Sequence, residues 1–490
     1  MRSINRREFL EDSVIAALVA GSGLLNSRPL IADETKVTKK GDANDRVRIA
    51  CIGVNGRGGD HVRNFAGNHE KFNCEVAIIC DCDEGVIGRT MKAAEQAQGK
   101  APKFVKDLRK VMEDKSIDAV SIATPNHWHA LAAIWALQAG KDVYVEKPVS
   151  HNVSEGRRIV EAARAYKRIC QTGTQSRSNP GMREAIAYVQ SGKLGKLKVS
   201  RGLCYKRRPS IGKVSGPKEP PTTCDYDLWC GPAPKKPLMR SRLHYDWHWV
   251  WDTGNGDLGN QGIHEMDKAR WGLQKNTLPL SVVSIGGRLG YVDDGETANT
   301  QICVFDYGDS QLIFEVRGLP TDPLRRASVG NIFHCENGLV VCPTYYSGIA
   351  YDNEGKELAR FNASANHYEN FLKAVRSRKE SDLNADILEG HLSSALCHLG
   401  NISYRLGEPQ AAIKDSVFYN NIAGAEALSR MVQHLKDNKV ELDKTPLRVG
   451  RKLKINNATE SFVNDKEADA LLTREYRKGF EVPSKILVKS

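Results

Sequence analysis

The 490-residue chain predicts an α/β protein: a doubly wound, parallel sheet comes first, then an α+β domain built on a large, mostly antiparallel open sheet. Three observations carry that expectation. Between residues 47 and 172 short apolar runs alternate with segments of helical period, as βαβ units require. The first apolar run, 47–52, breaks into glycines and restarts as a helix. Beyond residue 173 the strand-like runs alternate apolar and polar positions and are joined by hairpin turns.

Composition sets the limits. With 40% hydrophobic and 27% charged residues the chain is an ordinary globular one, long enough for two domains and a large core. Its net charge of +12 raises the question of nucleic acid. The Lys and Arg residues are scattered, with no clustered stripe or helix-turn-helix pattern, so a solvated basic surface and no nucleic-acid partner are expected. None of the 12 cysteines makes a C-x-x-C pair. Cys51, Cys80, Cys303 and Cys342 fall in or beside apolar runs and read as small buried hydrophobes, while Cys224 and Cys230 flank a loop that a bridge outside the cytoplasm would close. Cys80-Asp81-Cys82 and His127-Trp128-His129 have the wrong spacing for a tetrahedral zinc site, and no metal is expected.

Asn5-Arg6-Arg7-Glu8-Phe9-Leu10 stands before an uncharged stretch, 13–27, and resembles a twin-arginine export signal. The expectation is a signal peptide over 1–32, cut near Ala32, then a polar linker over 33–45. The uncharged stretch is short for a bilayer crossing, so no stable membrane span is expected after cleavage. The twin-arginine export machinery is then a partner, and the mature protein is expected in the periplasm or otherwise exported.

The elements follow in order. Gly53, Asn55 and Gly58, with Gly56 and Arg57 between them, approach the G-x-G-x-x-G loop that turns the backbone against a pyrophosphate at a helix N-terminus; Asn55 replaces the second glycine as the next-best tenant of a left-handed position. The run 76–80 ends in Asp81, roughly twenty residues on, where a carboxylate takes adenosine ribose hydroxyls and favours NAD over NADP; Asp83 competes for that role. A fourth strand, 118–123, ends in Thr124-Pro125-Asn126-His127. A fifth, 142–145, delivers Glu146-Lys147-Pro148 to the same carboxyl edge, where ligands of open parallel sheets bind. These segments make a Rossmann dinucleotide-binding domain over 46–172. The substrate and oligomerisation domain is expected over 173–405, with strands at 197–203, 282–286, 301–305 and 312–316, a turn at Glu336-Asn337-Gly338, and helices at 366–377 and 386–405. The extension 406–490, with a helix at 423–436, carries no readable motif.

The glycine loop, Thr124-Pro125-Asn126-His127, Glu146-Lys147-Pro148, the stretch from Asp227 to Pro234 and the stretch from Gly256 to Asp267 together resemble the Gfo/Idh/MocA family of nicotinamide-dependent oxidoreductases. The resemblance implies cofactor contacts from Gly53, Asn55, Gly56, Arg57, Gly58, Asp81, Thr124, Pro125, Asn126, His127, Glu146 and Lys147. It places Lys147 under the substrate hydroxyls, makes His264 the general base, puts a cis bond before Pro148, and implies a homo-oligomer formed through the outer face of the second sheet. Hydride transfer needs both a base and a group that holds the developing alkoxide. The plainer readings are a strand-end Lys147 paired with Glu146 and a His264 satisfied at a helix N-terminus. Many sugar dehydrogenases of the family carry Asp four residues before that His; here it is Asn260, with Asp267 or Asp257 placed to compensate. Gln175 and Arg177 resemble the stretch that enters the substrate cleft. The aromatic run 245–251, with Trp249, suits either sugar rings or loop packing.

Three functions are therefore open. The first is an exported oxidoreductase with a tightly held nicotinamide, NAD rather than NADP, acting on a CH-OH group of a sugar, polyol or sugar derivative. The second is an NAD-dependent glycoside hydrolase or lyase that oxidises, eliminates and reduces with no net redox change. The third is a non-catalytic nucleotide- or sugar-binding protein that keeps the fold.

Overall fold

The computed structural model describes residues 46–410, 418 and 421–486, so the expected leader and linker lie outside the described residues. Strands β1 (Val47–Ile52), β2 (Cys74–Cys80), β3 (Lys103–Val105), β4 (Ala119–Ile122), β5 (Asp142–Val145) and β6 (Cys170–Thr172) form a six-stranded sheet in the order β3-β2-β1-β4-β5-β6. All of its pairings are parallel. The order reverses between β1 and β4, and there the crossover connections leave opposite faces and open a crevice at the carboxyl edge. The helix Asn126–Gln138 is apolar on nearly all sides, and it is buried on nearly all sides. One side meets the sheet, and Trp128 stands edge-on to Phe480 of the C-terminal segment, ring centres 5.6 Å apart.

The second sheet has 12 strands. Its main path runs through β7 (Leu197–Tyr205), β8 (Ser281–Gly287), β9 (Thr300–Asp306), β10 (Gln311–Arg317), β11 (Val329–Cys335), β12 (Gly338–Cys342), β13 (Ser347–Asp352) and β14 (Glu357–Asn362), in the order β14-β13-β12-β11-β7-β10-β9-β8. Only β7 and β10 pair in parallel; the other pairings are antiparallel. The expected strands all lie within these elements, and the β11–β12 hairpin turns at the expected place. Beyond residue 405, β15 (Glu408–Gln410), β16 (Leu447–Val449) and β17 (Leu453–Asn456) extend the sheet past β8.

Alternation along the strands separates two cores. Phe305, Leu312, Phe314 and Val316 face inward against Met266 of the helix Gly262–Gly272 and Leu396 of the helix Ile387–Arg405. Val283, Ile285, Ile302, Val304 and Ile313 face outward, where the helix Ile422–Asp437 covers them with Ala427, Leu428, Met431 and Leu435. This part of the outer face, expected to need a second subunit, is covered by the chain itself. Glu315 anchors that helix. Its fully buried carboxylate accepts from Arg201 at 3.1 Å, Arg430 at 2.6 Å, Arg317 at 3.1 Å and the Tyr205 hydroxyl at 2.8 Å. Among the described residues, no helix is long and apolar enough to cross a membrane.

Candidate active site

The glycine loop is shaped by close approach. Gly53 has φ 76°, and a Cβ there would stand 2.7 Å from the Thr124 amide nitrogen; a Cβ on Gly58 would stand 1.7 Å from the Gly53 carbonyl oxygen. Neither position admits a side chain. Gly56, at φ 82°, is different: a Cβ there would meet nothing within 4 Å, because the residue opens onto a cleft of about 360 Å³. The left-handed positions are thus Gly53 and Gly56, and Asn55, expected in that conformation, does not adopt it. The helix Arg57–Gly67 begins here with no side-chain cap; the Gly59 N–H donates to the Gly56 carbonyl at 3.0 Å, and the Arg57 and Gly58 N–H groups before it are left for an anion.

Asp81 lies at the end of β2, in the wall of the cleft, and braces the loop: one oxygen accepts the Val54 N–H at 2.8 Å, the other the Asp83 N–H at 3.1 Å. Burial raises this carboxyl above its ordinary value while the two N–H bonds act against the rise. Asp83 is no competitor, because it is buried and engaged by Gly85 N–H, Thr223 Oγ1 and His244 Nε2.

On the neighbouring turn Thr124, Pro125 and Asn126 line the cleft, and Asn126 Nδ2 donates to Asn255 Oδ1 at 3.0 Å. His127, expected on the cofactor, turns away instead. Its ring nitrogens face the Trp229 and Thr253 carbonyls at 2.9 and 3.4 Å, and burial pushes it down to about 3. His129, two residues further, lines the cleft instead: it sits between the carbonyls of Pro148 (2.6 Å) and Thr124 (2.7 Å) and ties together the two turns at the sheet edge.

Glu146 and Lys147 follow directly on β5. Glu146 accepts from Arg57 Nε and His61 Nε2, both at 3.0 Å, with Gln175 Nε2 at 3.3 Å. Burial opposes its ionisation, but Arg57 and His61 hold the carboxyl well below its usual range. The peptide bond from Lys147 to Pro148 is cis. Lys147 Nζ does not pair with Glu146; it donates to the Asn260 carbonyl at 3.0 Å, and burial lowers the ammonium from its ordinary value. Asn260 therefore acts on Lys147 through its backbone. Its side chain reaches Asp257 at 3.5 Å.

His264 begins the next helix, 6% exposed and behind the residues that line the cleft. Its Nδ1 is buried without a hydrogen-bond partner, and its ring lies 4.8 Å from that of Tyr345. Burial, then the Lys147 ammonium, push the imidazole well below its ordinary value, so it is neutral near pH 7. Neither expected carboxylate compensates for Asn260. Asp257 is held by Arg208 at 2.7 and 2.8 Å, and the fully buried Asp267 by Arg177 at 2.8 to 3.1 Å and by Ser393 at 2.7 Å.

That pairing also removes Arg177 and Asp267 from the substrate cleft. Arg177 further reaches Glu389 at 2.9 Å, so the group clamps the interior of the second domain and forms no wall of the cleft. Of the aromatic run, Trp249 is buried beneath the Arg208 guanidinium, 5.4 Å from its ring. Tyr245, Trp247 and His248 line the cleft, the last two stacked at 3.6 Å. Among the described residues, no three His, Cys, Asp or Glu side chains gather as a metal site.

Comparisons with known proteins place the two domains. Residues 47–174 match the Gfo/Idh/MocA model described as an oxidoreductase family, NAD-binding Rossmann fold; residues 187–436 match that family's C-terminal alpha/beta domain. An alpha-N-acetylgalactosaminidase of Shewanella oneidensis is 30% identical over 216 residues, 40% of this chain and 45% of that protein. A glycosyl hydrolase family 109 protein of Shewanella pealeana is 30% identical over 182 residues, 34% and 38% of the two chains. The match thus spans less than half the length of these relatives. Among solved structures, the WlbA dehydrogenase from Bordetella pertussis, in complex with NADH and UDP-GlcNAcA, is 20% identical with a TM-score of 0.52 over 72% of this chain and 96% of its own. A putative NADPH-dependent oxidoreductase from Desulfitobacterium hafniense is 13% identical with a TM-score of 0.55 over 74% and 96%. At these identities the likeness is one of fold. Two consecutive family models covering most of the described chain carry more: this protein belongs to the Gfo/Idh/MocA oxidoreductase family, with its NAD-binding Rossmann domain and its C-terminal α/β domain.

Proposed function

We propose that the chain is an exported oxidoreductase that keeps a nicotinamide cofactor, NAD in preference to NADP, and acts on a hydroxyl-bearing carbon of a sugar, polyol or sugar derivative. The observation that carries this reading is one continuous cleft running from the Gly53–Gly58 loop and Asp81 to Lys147 and Asn260. The donor set fits a dinucleotide: Gly56 leaves open the space a Cβ would fill, the uncapped helix faces an anion, and Asp81 offers a carboxylate to ribose hydroxyls and repels a 2′-phosphate. A bound nicotinamide supplies the hydride acceptor or donor. Lys147 then holds the substrate oxygen as it gains negative charge, its ammonium fixed by the Asn260 carbonyl. His264, kept neutral by burial behind the cleft lining, is the base this reading assigns; its Nδ1 is enclosed, so the hydroxyl proton reaches it through the small part of the residue that stays exposed. Tyr245, Trp247 and His248 give the cleft a flat wall suited to a sugar face. Export through the twin-arginine route, retention of the cofactor during it, and homo-oligomer formation belong to the same proposal.

A second reading shares the hydride step but ends in cleavage of a glycosidic bond. Its support is the similarity to proteins named as glycosidases, together with a His264 that no carboxylate assists. One experiment separates the two readings. Incubate the natively exported protein with free sugars and with nitrophenyl glycosides, including an α-N-acetylgalactosaminide, and follow both nitrophenol and nicotinamide absorbance. Net reduction of nicotinamide by a sugar supports the oxidoreductase. Nitrophenol release with unchanged nicotinamide supports the glycosidase. Absence of both, with no cofactor bound, defeats the two together.

A further inference from the structure

A second cavity, of about 350 Å³, shares none of the described residues that line the cleft. It lies where three segments distant in sequence meet. His151 belongs to the turn after Pro148, His398, Asn401 and Arg405 to the helix Ile387–Arg405, and Arg474 to the C-terminal segment. Asn255 stands in its wall and accepts at Oδ1 from Asn126 Nδ2 of the cleft at 3.0 Å, so this pair of side chains joins the walls of the two cavities.

The charge of this recess is unbalanced. Arg405, open to solvent, lies over the Trp251 ring at 5.2 Å, and none of its guanidinium N–H groups meets an acceptor among the described residues. Arg474 donates through Nη1 to the Asp252 carbonyl at 2.8 Å and to His151 Nδ1 at 3.2 Å, which leaves its Nε and Nη2 without an acceptor among the described residues. His151 brings no charge of its own: its Nε2–H donates to the Trp251 carbonyl at 2.9 Å, and its Nδ1 is the acceptor. The nearby carboxylates are engaged elsewhere. Asp252 pairs with Lys236 at 2.6 Å, and Glu296 accepts the Trp251 N–H at 2.6 Å, while Glu475 is exposed at the rim. Desolvation by the surrounding walls lowers the Arg405 guanidinium from its ordinary value; Glu296 and Asp252 oppose that, and the Arg474 charge adds to it. Two guanidiniums that repel one another across a recess favour an anion shared between them.

We propose that this second cavity binds a small organic molecule through a carboxylate or phosphate group held between Arg405 and Arg474. The planar fork of a guanidinium matches either group with two parallel hydrogen bonds. A cavity of this volume falls in the range of small-molecule sites and leaves room beyond the anion for the body that carries it. The site uses residues apart from the nicotinamide cleft and stands without the proposed function.

The test is calorimetric titration of the full chain at saturating NAD, which fills the glycine loop, with glucuronate, glucose 6-phosphate and neutral glucose as probes. At least one of the two anions is expected to bind with a Kd of about 1 mM or tighter, and the tighter of the two tells carboxylate from phosphate ester. Arg405→Gln and Arg474→Gln should each weaken that anion roughly tenfold and leave any glucose binding unchanged. Arg405 donates to no acceptor among the described residues, so its replacement leaves the fold intact, with thermal unfolding as the control. Absence of binding by both anions would overturn the proposal. So would an anion that binds both variants as tightly as the unsubstituted protein, since its site would then lie elsewhere. A preparation that takes up no NAD defeats the proposed function, and Arg405→Gln still decides this site.

Discussion

Lys147→Met isolates the charge at the end of the cleft. Methionine keeps an unbranched apolar stem and removes the three N–H donors. One of those donors is committed to the Asn260 carbonyl at 3.0 Å, and the others are free for a substrate oxygen. Losing a preorganised donor to a developing oxyanion lowers kcat by roughly 10²–10³-fold, about 3–4 kcal/mol. The unpaired Asn260 carbonyl costs about 1 kcal/mol of stability, small enough to leave a folded protein. The variant also relieves His264 of the positive charge that helps depress it, so the imidazole pKa rises and the acid limb of the rate profile moves to higher pH. The assay is single-turnover reduction of the bound nicotinamide across a pH series, with thermal unfolding as the control for fold. A kcat within about threefold of the unsubstituted protein, with no movement of the acid limb, would refute the assignment of Lys147 and its coupling to His264.

Three further outcomes follow from the same structure. Asp81→Ser removes the carboxylate that braces Val54 and repels a 2′-phosphate, so the ratio of NAD to NADP affinity, measured by fluorescence titration of stripped protein, should fall by roughly tenfold or more. Glu315→Gln leaves Arg201, Arg317 and Arg430 without their shared carboxylate and should cost about 3 kcal/mol in denaturant unfolding. Glu460 accepts from Arg157 Nε and His391 Nε2 at 3.0 Å; against the upward push of burial, those bonds draw its carboxyl down to about 2. Its folded pKa is therefore below its unfolded one, so the stabilisation, about 3 kcal/mol, is full above about pH 5 and is lost as pH falls towards 2. Glu460→Gln should flatten that part of the stability profile.

The parts of the fold set by local periodicity were legible in the chain. Buried parallel strands are apolar runs, so β1, β2, β4 and β5 and the edge they share could be located, and Asn337-Gly338 marked the β11–β12 hairpin. Side-chain partners distant in sequence were not legible. Arg177 meets Asp267 across 90 positions, and nothing in either segment shows that their charges cancel in the interior. A motif also fixes which turn reaches the cleft without fixing which residue of it turns inward: His129 takes the place expected of His127, and Trp247 with His248 that of Trp249. Asn260 was weighed by its side chain, whereas its carbonyl does the positioning. The cover that the helix Ile422–Asp437 gives the second sheet came from a segment without a motif, because an amphipathic helix does not declare which face it will meet.

The central claim is that one cleft holds a nicotinamide and presents it to a sugar hydroxyl. Native mass spectrometry of the full-length protein, before and after addition of a sugar panel, tests it most directly. The account predicts a retained dinucleotide mass that survives desalting and gains the mass of one hydride when a sugar is oxidised. Protein that carries no dinucleotide, and takes up none at micromolar NAD, would contradict it.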